Sequence, residues 1–202
     1  MMDSPARSVS SFPPSEPRTL IVMGVSGCGK TAVATELGAR LGWVFAEGDK
    51  FHPSANVEKM RAGHPLDDDD RWPWLRAIAT WIGEHEQAGA GAIVTCSALK
   101  RSYRDLLRAG HDSVWFVHLT VPVTVLADRL KHRQGHFMPA SLLQSQLSTL
   151  EPLGADEPGS TVPGDVPPTD VVAEVLAMLP ACSTGVAPPC ATATPTPRGA
   201  VR

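Results

Sequence analysis

The feature that most constrains this chain is a glycine-rich stretch at residues 24–31, with the sequence GVSGCGKT. It satisfies the pattern G-x-x-x-x-G-K-[ST], whose backbone N–H groups close around phosphate oxygens. The apolar run at 19–23 predicts a buried strand before the loop. Val33, Leu37 and Leu41 recur at every fourth position after it and predict an amphipathic helix. This strand–loop–helix context disfavours the alternative, a glycine-rich turn that binds nothing.

Residue types within the loop predict individual roles. The glycines allow the backbone to approach a ligand closely, and the N-terminus of the following helix favours an anion. Lys30 is expected to reach the β- and γ-phosphates of a nucleotide, and Thr31 to offer its hydroxyl to Mg²⁺. The predicted nucleotide-binding residues are Gly24, Val25, Ser26, Gly27, Cys28, Gly29, Lys30 and Thr31.

Composition excludes several classes of protein. The chain has 202 residues, with 21 acidic and 18 basic side chains and no basic stripe, so we expect no nucleic-acid partner. No apolar run approaches the roughly 20 residues of a membrane span, and the residues before Thr19 do not resemble a secretory signal. Cys28, Cys96, Cys182 and Cys190 follow neither metal-binding nor disulfide spacing. The simplest interpretation is a soluble cytoplasmic protein.

Alternating apolar strands and amphipathic helices predict an α/β fold with a parallel five-stranded sheet and helices on both faces, in a P-loop kinase arrangement. The predicted strands are residues 19–23, 43–46, 92–96, 114–119 and 160–162. Residues 18–180 form the predicted domain, with a lid segment at about 129–139. We expect a disordered leader at 1–17 and a disordered tail rich in Ala, Pro and Thr at 181–202.

Several charged residues fall where ligands bind in such folds, although each has a plainer interpretation. Asp49 follows the second strand, at the sheet edge where α/β proteins place ligands, or is an ordinary loop carboxylate. The acidic run at 67–70 faces a cation or hydroxyl groups, or is merely solvated. Arg129 and Arg133 lie one helical turn apart and belong either to a lid over phosphates or to a basic helix end. Cys28 is either a small packing residue or an oxidisable thiol.

Beyond the loop, further stretches carry a resemblance. They include GDKFHP (48–53), NVEKM (56–60), PLDDDDRWPWL (65–75) and CSALK (96–100), together with residues 103–105, 129–133, 136–138, 145–146 and 150–151. With the loop, these stretches resemble the thermoresistant-type gluconokinases, from about residue 18 to 179. The third and fourth are far more specific than the loop. The sequence departs from the family at Cys28, where serine is common, and at 159–168, where additional Gly and Pro put the length of the last strand in doubt.

The resemblance implies ATP-dependent phosphorylation of D-gluconate at its 6-hydroxyl, with Mg²⁺, and suggests a homodimer. Asp49, at the end of the second strand beside the loop, is expected to orient the attacking hydroxyl and to deprotonate it. The expected ligands of the gluconate carboxylate are Arg71, Lys100 and Arg104, and those of its hydroxyls are His52, Asp68 and Asp70. The residues expected to act on the transferring phosphoryl group are Lys30, Arg129 and Arg133.

Two other functions remain open at the level of sequence. A different small-molecule kinase or a nucleoside monophosphate kinase would share the loop and the lid. A regulatory module would bind nucleotide without transferring phosphate, although it would have no need of a base such as Asp49.

Overall fold

The computed structural model describes residues 18–132 and 140–179. The predicted leader, the predicted tail and most of the predicted lid, including Arg133, lie outside these ranges. The five strands are β1 (Thr19–Met23), β2 (Val44–Ala46), β3 (Ala92–Cys96), β4 (Val114–Thr120) and β5 (Gly159–Pro163). The helices are α1 (Lys30–Leu41), α2 (Ser54–Arg61), α3 (Asp68–Gln87), α4 (Arg101–Arg108), α5 (Val123–His132), α6 (Ala140–Thr149) and α7 (Pro168–Met178).

All the strands pair in parallel, in the order β2-β3-β1-β4-β5, which confirms the predicted fold. β1 lies at the centre, where Met23 is level with Cys96 of β3 and His118 of β4. Every residue of β1 and β3 is buried, as expected for strands with cover on both faces. The carboxyl ends of the strands therefore meet at one edge of the sheet.

Two pairs of helices pack on this sheet: α1 with α7, and α3 with α4. α3 has an apolar face, on which Trp74, Ile78 and Ile82 are buried in the core. β5 lies at the edge of the sheet and ends at Pro163, which has no N–H to continue a ladder. No helix within the described residues is long and apolar enough to cross a membrane.

The acidic run has a structural role in starting α3. Asp67 is the N-cap, and its carboxylate accepts a hydrogen bond from the Asp70 N–H at 3.0 Å. The Asp70 carboxylate accepts one in return from the Asp67 N–H at 2.9 Å, which completes a capping box. The remaining acidic residues occupy the first turn, where the helix dipole favours negative charge.

Candidate active site

The glycine-rich loop joins β1 to α1 in a conformation that its glycines make possible. Gly24, Gly27 and Gly29 all have positive φ angles, of 135°, 85° and 102°. A Cβ atom at Gly24 would lie 2.8 Å from the Leu119 carbonyl oxygen and 2.9 Å from the sulfur of Cys28. Cys28 is fully buried beneath the loop, which agrees with the packing role among its two interpretations.

The start of α1 has donors for an anion. Gly29 is the N-cap residue, and no side chain caps the helix there. The backbone N–H groups of the first turn therefore have no side-chain acceptor from the cap and suit an anion. The Lys30 ammonium donates to the carbonyl oxygens of Gly24 and Val25, each at 3.0 Å, and thus lies across the loop. The Ser26 N–H donates to the side-chain oxygen of Gln146 at 2.7 Å, which ties α6 to the loop.

Three adjoining pockets surround the loop. The loop pocket is lined by Ser26, Gly27, Gly29, Lys30, Thr31, Ala32, Glu47, Asp49 and Arg129. The inner pocket is lined by Ser26, Lys30, Asp49, His52, Met60, Pro65, Leu66, Arg71, Trp74, Ser97, Leu142, Ser145 and Gln146. The outer pocket is lined by Gly27, Cys28, Gly29, Ala32, Val33, Arg129, Gly164, Val166, Pro168 and Val171. The inner and loop pockets share Ser26, Lys30 and Asp49, so they meet at these side chains.

Asp49 is held at this junction by the turn that follows β2. The turn is a single 3-10 helix, Gly48–Phe51, whose Gly48 N–H donates to the Thr95 hydroxyl of β3 at 3.0 Å. A side chain at Gly48 would collide with the Thr95 carbonyl oxygen. The Thr95 hydroxyl donates in turn to the Glu47 carboxylate at 2.6 Å. These contacts fix the turn against the sheet and leave the Asp49 carboxylate exposed to both pockets.

His52 forms one wall of the inner pocket. Its ring stacks on Trp74, with centroids 4.2 Å apart and planes inclined by 15°. Burial lowers the pKa of His52 to about 4, with Asp49 acting to raise it and Arg71 to lower it. The ring is therefore neutral at physiological pH.

Arg71 lines the same pocket from α3 and is only 8% exposed. Its Nε donates to the Leu66 carbonyl oxygen at 3.3 Å. Within residues 18–132 and 140–179, no carboxylate lies within 4.0 Å of the Arg71 guanidinium. A buried cation without an acidic partner is costly, so this guanidinium is suited to an anionic ligand.

Arg129 approaches the loop from the C-terminal half of α5. Its Nη1 donates to the Gly164 carbonyl oxygen at 2.9 Å, and lies 3.5 Å from that of Gly27. The guanidinium therefore lines both the loop pocket and the outer pocket. Its predicted partner in the lid, Arg133, lies outside the described residues.

Known proteins are similar to this chain in sequence and in fold. A family model described as an AAA domain matches residues 20–138. The chain is 59% identical over 161 residues to the gluconokinase of Gluconobacter oxydans, covering 80% of this chain and 90% of that protein. It is 42% identical over 160 residues to the thermoresistant gluconokinase of Escherichia coli, covering 79% and 91%. The chain belongs to the gluconokinase family.

A solved structure agrees with this assignment. The crystal structure of a gluconokinase from Sinorhizobium meliloti is similar, with a TM-score of 0.72 and 47% sequence identity. The match covers 80% of this chain and 90% of that one. The gluconokinase family resemblance inferred from the motifs is thus confirmed by sequence and by structure.

Not all the residues expected to bind a gluconokinase substrate line the inner pocket. Lys100 donates to both oxygens of Asp68, at 2.7 and 2.8 Å, and the Tyr103 hydroxyl donates to the same carboxylate. The hydrogen bonds from Lys100 and then Tyr103 lower the pKa of Asp68 below its usual range. Lys100 and Asp68 therefore neutralise each other in a shallow depression that shares Leu66 and Arg71 with the inner pocket.

Asp70 and Arg104 have structural partners instead. Asp70 is engaged by the capping box and by the Lys59 ammonium. Arg104 is 1% exposed and donates to both Glu157 oxygens, at 2.6 and 2.8 Å, and to the carbonyl oxygens of Ala98 and Glu151, both at 3.1 Å. Neither side chain lines the inner pocket, and their expected contact with the substrate stays a prediction.

The structure adds residues that sequence reasoning had not assigned to the site. Trp74 is 1% exposed and belongs to the core, yet it also forms the floor beneath His52. Gln146 and Ser97 reach the inner pocket from the α6 helix and from the end of β3. Glu47 lines the loop pocket two residues before Asp49. The only sequence signal for these residues was their place within or beside the stretches that resemble gluconokinases.

Proposed function

We propose that this protein transfers the γ-phosphoryl group of ATP to the 6-hydroxyl of D-gluconate, giving 6-phospho-D-gluconate and ADP. The observation that carries the proposal is that the inner pocket meets the loop pocket at Lys30 and Asp49. The inner pocket also contains Arg71, which has no carboxylate partner among the described residues. The relatives of the chain named as gluconokinases support the choice of substrate and do not favour another small-molecule kinase or a regulatory module.

The loop pocket and the outer pocket suit the donor. Loop N–H groups and Lys30 would hold the phosphates, and Arg129 would meet the charge that develops during transfer. Val33, Val166 and Val171 give the outer pocket apolar walls, which suit a nucleoside base. The predicted lid, at about 129–139, would close over the phosphates and would add Arg133 to the groups that meet their charge.

Oxygen donors in the loop pocket also fit Mg²⁺. Thr31, Glu47 and Asp49 all line it. Within the described ranges, no group of three or more His, Cys, Asp or Glu side chains could hold a metal ion alone. Mg²⁺ usually binds through one or two protein oxygens together with phosphates and water, so Thr31 would be its direct protein ligand. When bound, it would supply charge stabilisation to the phosphates.

Arg71 is the proposed ligand of the gluconate carboxylate. Lys100 is neutralised by Asp68, and Arg104 by Glu157, whereas Arg71 has no carboxylate partner in the described part of the chain. A guanidinium binds a carboxylate through charge-assisted hydrogen bonds, which are stronger than neutral ones. His52 and Asp49 remain available for the hydroxyls.

Asp49 is the proposed base. It accepts the proton of the 6-hydroxyl as that oxygen forms a bond to the γ-phosphorus, while the bond from phosphorus to the bridging oxygen of ADP breaks. Its position between the two pockets supports this role. The negative charge on the phosphoryl oxygens is then opposed by Lys30 and Arg129.

The direct test is an assay for 6-phosphogluconate with Mg-ATP and an acceptor panel of gluconate, its epimers, shikimate and nucleoside monophosphates. We expect efficient turnover with gluconate and little with the others. Preference for another acceptor would overturn the substrate assignment, and ATP binding without turnover on any acceptor would favour a regulatory module.

Three further expectations do not depend on the pockets. The product would enter gluconate catabolism, through the pentose phosphate or Entner–Doudoroff pathway. A homodimer and a cytoplasmic location remain predictions.

A further inference from the structure

The buried side chain of Asn56 determines how His52 presents itself to the inner pocket. Asn56 lies on α2 and is 5% exposed. Its Nδ2 atom is 2.7 Å from the Asp70 carbonyl oxygen and 3.3 Å from Nδ1 of His52. The amide nitrogen therefore lies between two groups that can accept hydrogen bonds.

The Asp70 carbonyl fixes the orientation of this amide. A backbone carbonyl oxygen only accepts, so the NH₂ group of Asn56, and not its oxygen, must face it. The NH₂ group carries two hydrogens, and the second points to His52. His52 Nδ1 is then the acceptor, which leaves the single ring proton of a neutral imidazole on Nε2.

The ring is also held in place and kept neutral. Trp74, on which it stacks, is itself fixed by a hydrogen bond from its Nε1 to the Gly48 carbonyl oxygen at 2.8 Å. The charged groups that act on His52 are Asp49, which favours protonation, and Arg71, which opposes it. A protonated ring would carry a hydrogen on Nδ1, directed at the N–H of Asn56, so this contact opposes protonation as well.

We propose that Asn56 is a positioning residue that holds His52 as the Nε2–H tautomer, so that Nε2 donates a hydrogen bond to an oxygen of the sugar acid. This inference rests on the proposed function, because it concerns the acceptor in the inner pocket. Asp49 in the same pocket accepts hydrogen bonds, whereas His52 donates one without bringing a charge. The two residues thus offer one acceptor and one neutral donor to the hydroxyl groups of the substrate.

A matched pair of substitutions tests the role of Nε2. Glutamine carries its amide nitrogen about as far from the backbone as Nε2, whereas asparagine reaches only as far as Nδ1. We expect His52→Gln to retain most of the kcat/KM for gluconate and His52→Asn to lose about 10- to 100-fold, mainly through KM, because one hydrogen bond to the substrate is unmade. Equal losses, or a greater loss in His52→Gln, would overturn the proposal.

The tautomer is measured directly in the unmodified protein by NMR of ¹⁵N-labelled imidazole rings, with the His52 signals assigned by their disappearance in His52→Gln. We expect the proton on Nε2 at neutral pH. A proton on Nδ1 would overturn the proposal whatever the variants do. In Asn56→Asp, whose carboxylate can only accept, we expect the proton on Nδ1 and a raised KM for gluconate with little change in the KM for ATP.

These outcomes separate this inference from the proposed function. If the unmodified protein does not phosphorylate gluconate, the proposed function fails, whereas the NMR spectrum still reports on Asn56 and His52. If gluconate is phosphorylated but the Nδ1–H tautomer is found, only the inference fails.

Discussion

Three basic side chains near the inner pocket differ in the group that neutralises their charge. One is on α3, one is at the start of α4 and one is within α4. Lys100 has Asp68 and Arg104 has Glu157, whereas Arg71 has no carboxylate partner among the described residues. Its Nε donates to a backbone carbonyl, and its guanidinium lies 5.8 Å from the centre of the Tyr103 ring. Because a buried guanidinium is stabilised by an anion, we propose the residue without an acidic partner as the ligand of the carboxylate. At the scale of single residues, the proposed chemistry therefore depends on Arg71 and Asp49, at two positions in one pocket.

Asp49→Asn tests the proposed base. The amide keeps the shape of the side chain but cannot take the proton, so kcat should fall by about 10²- to 10⁴-fold while ATP binding changes little. Steady-state kinetics and ATP titration measure both quantities. Asp112→Asn is the matched control, because Asp112 is exposed in the loop before β4 and outside the pockets described above. Unchanged turnover in Asp49→Asn would remove this role.

Arg129→Met tests the contact of α5 with the loop. Removing a cation that opposes the transferring charge should lower kcat by about 10²-fold and raise the KM for ATP. Lys131→Met, an exposed residue on the same helix, should leave both values close to those of the unmodified protein. Similar kinetics for the two variants would show that Arg129 does not act on the phosphates.

At the scale of elements, Arg104 acts as a clamp between two segments that shape the inner pocket. Its own side chain does not line that pocket. It binds the carbonyl oxygen of Ala98, whose φ of 42° is unusual for a residue with a side chain, and that of Glu151 after α6. Ser97, next to Ala98, lines the inner pocket, and its carbonyl oxygen accepts from the Gly24 N–H at 3.4 Å. The clamp thus links the end of β3, the loop and the segment after α6.

The clamp should make stability depend on pH through Glu157. Burial alone would raise the pKa of Glu157, but hydrogen bonds from Arg104 and the Gly154 N–H outweigh it and lower the pKa. A lowered pKa in the folded state gives stability that is complete above the ordinary glutamate value of 4.5 and is lost as the pH falls through the lower folded value.

Glu157→Gln should therefore reduce the free energy of unfolding by about 3 kcal/mol at pH 7, because the buried Arg104 loses its counter-charge. The difference from the unmodified protein should shrink below pH 4.5. Urea unfolding at several pH values measures it, and a difference that stays constant down to pH 3 would contradict the account. Glu174→Gln, on α7, serves as a control, because Glu174 forms no ion pair within residues 18–132 and 140–179.

At the scale of the whole molecule, the parallel sheet gathers the site at one edge. β1 leads into the loop, β2 into Asp49 and β3 into Ser97, so residues from distant parts of the chain meet where three strands end. Contacts from later elements close this edge: Gln146 of α6 reaches Ser26, and Arg129 of α5 reaches Gly164.

Much of this arrangement was predictable because it is local in sequence. The loop pattern and the apolar runs predicted β1 and β3 with the bounds observed, and Asp49 was expected from its place after β2. Lys100 and Arg104 are neutralised by partners 32 and 53 residues away in the sequence, and no local pattern specifies these ion pairs. The capping box could have been found in the spacing of Asp67 and Asp70, but the acidic run also suited a ligand site.

We propose that the inner pocket recognises a sugar acid through Arg71. The most direct measurement is the ratio of kcat/KM for gluconate to that for D-glucitol, which has a hydroxymethyl group in place of the carboxylate. The unmodified protein should prefer gluconate strongly. In Arg71→Ala the ratio should fall by at least about 30-fold, because losing the partner of a buried charge costs about 2–5 kcal/mol.

Lys100→Met is the matched control and should preserve the ratio, because its ammonium already has Asp68 as a partner. The melting temperature and the KM for ATP show whether each variant is folded. If Arg71→Ala is folded, binds ATP and still prefers gluconate to the same degree, the carboxylate binds elsewhere and the account is contradicted.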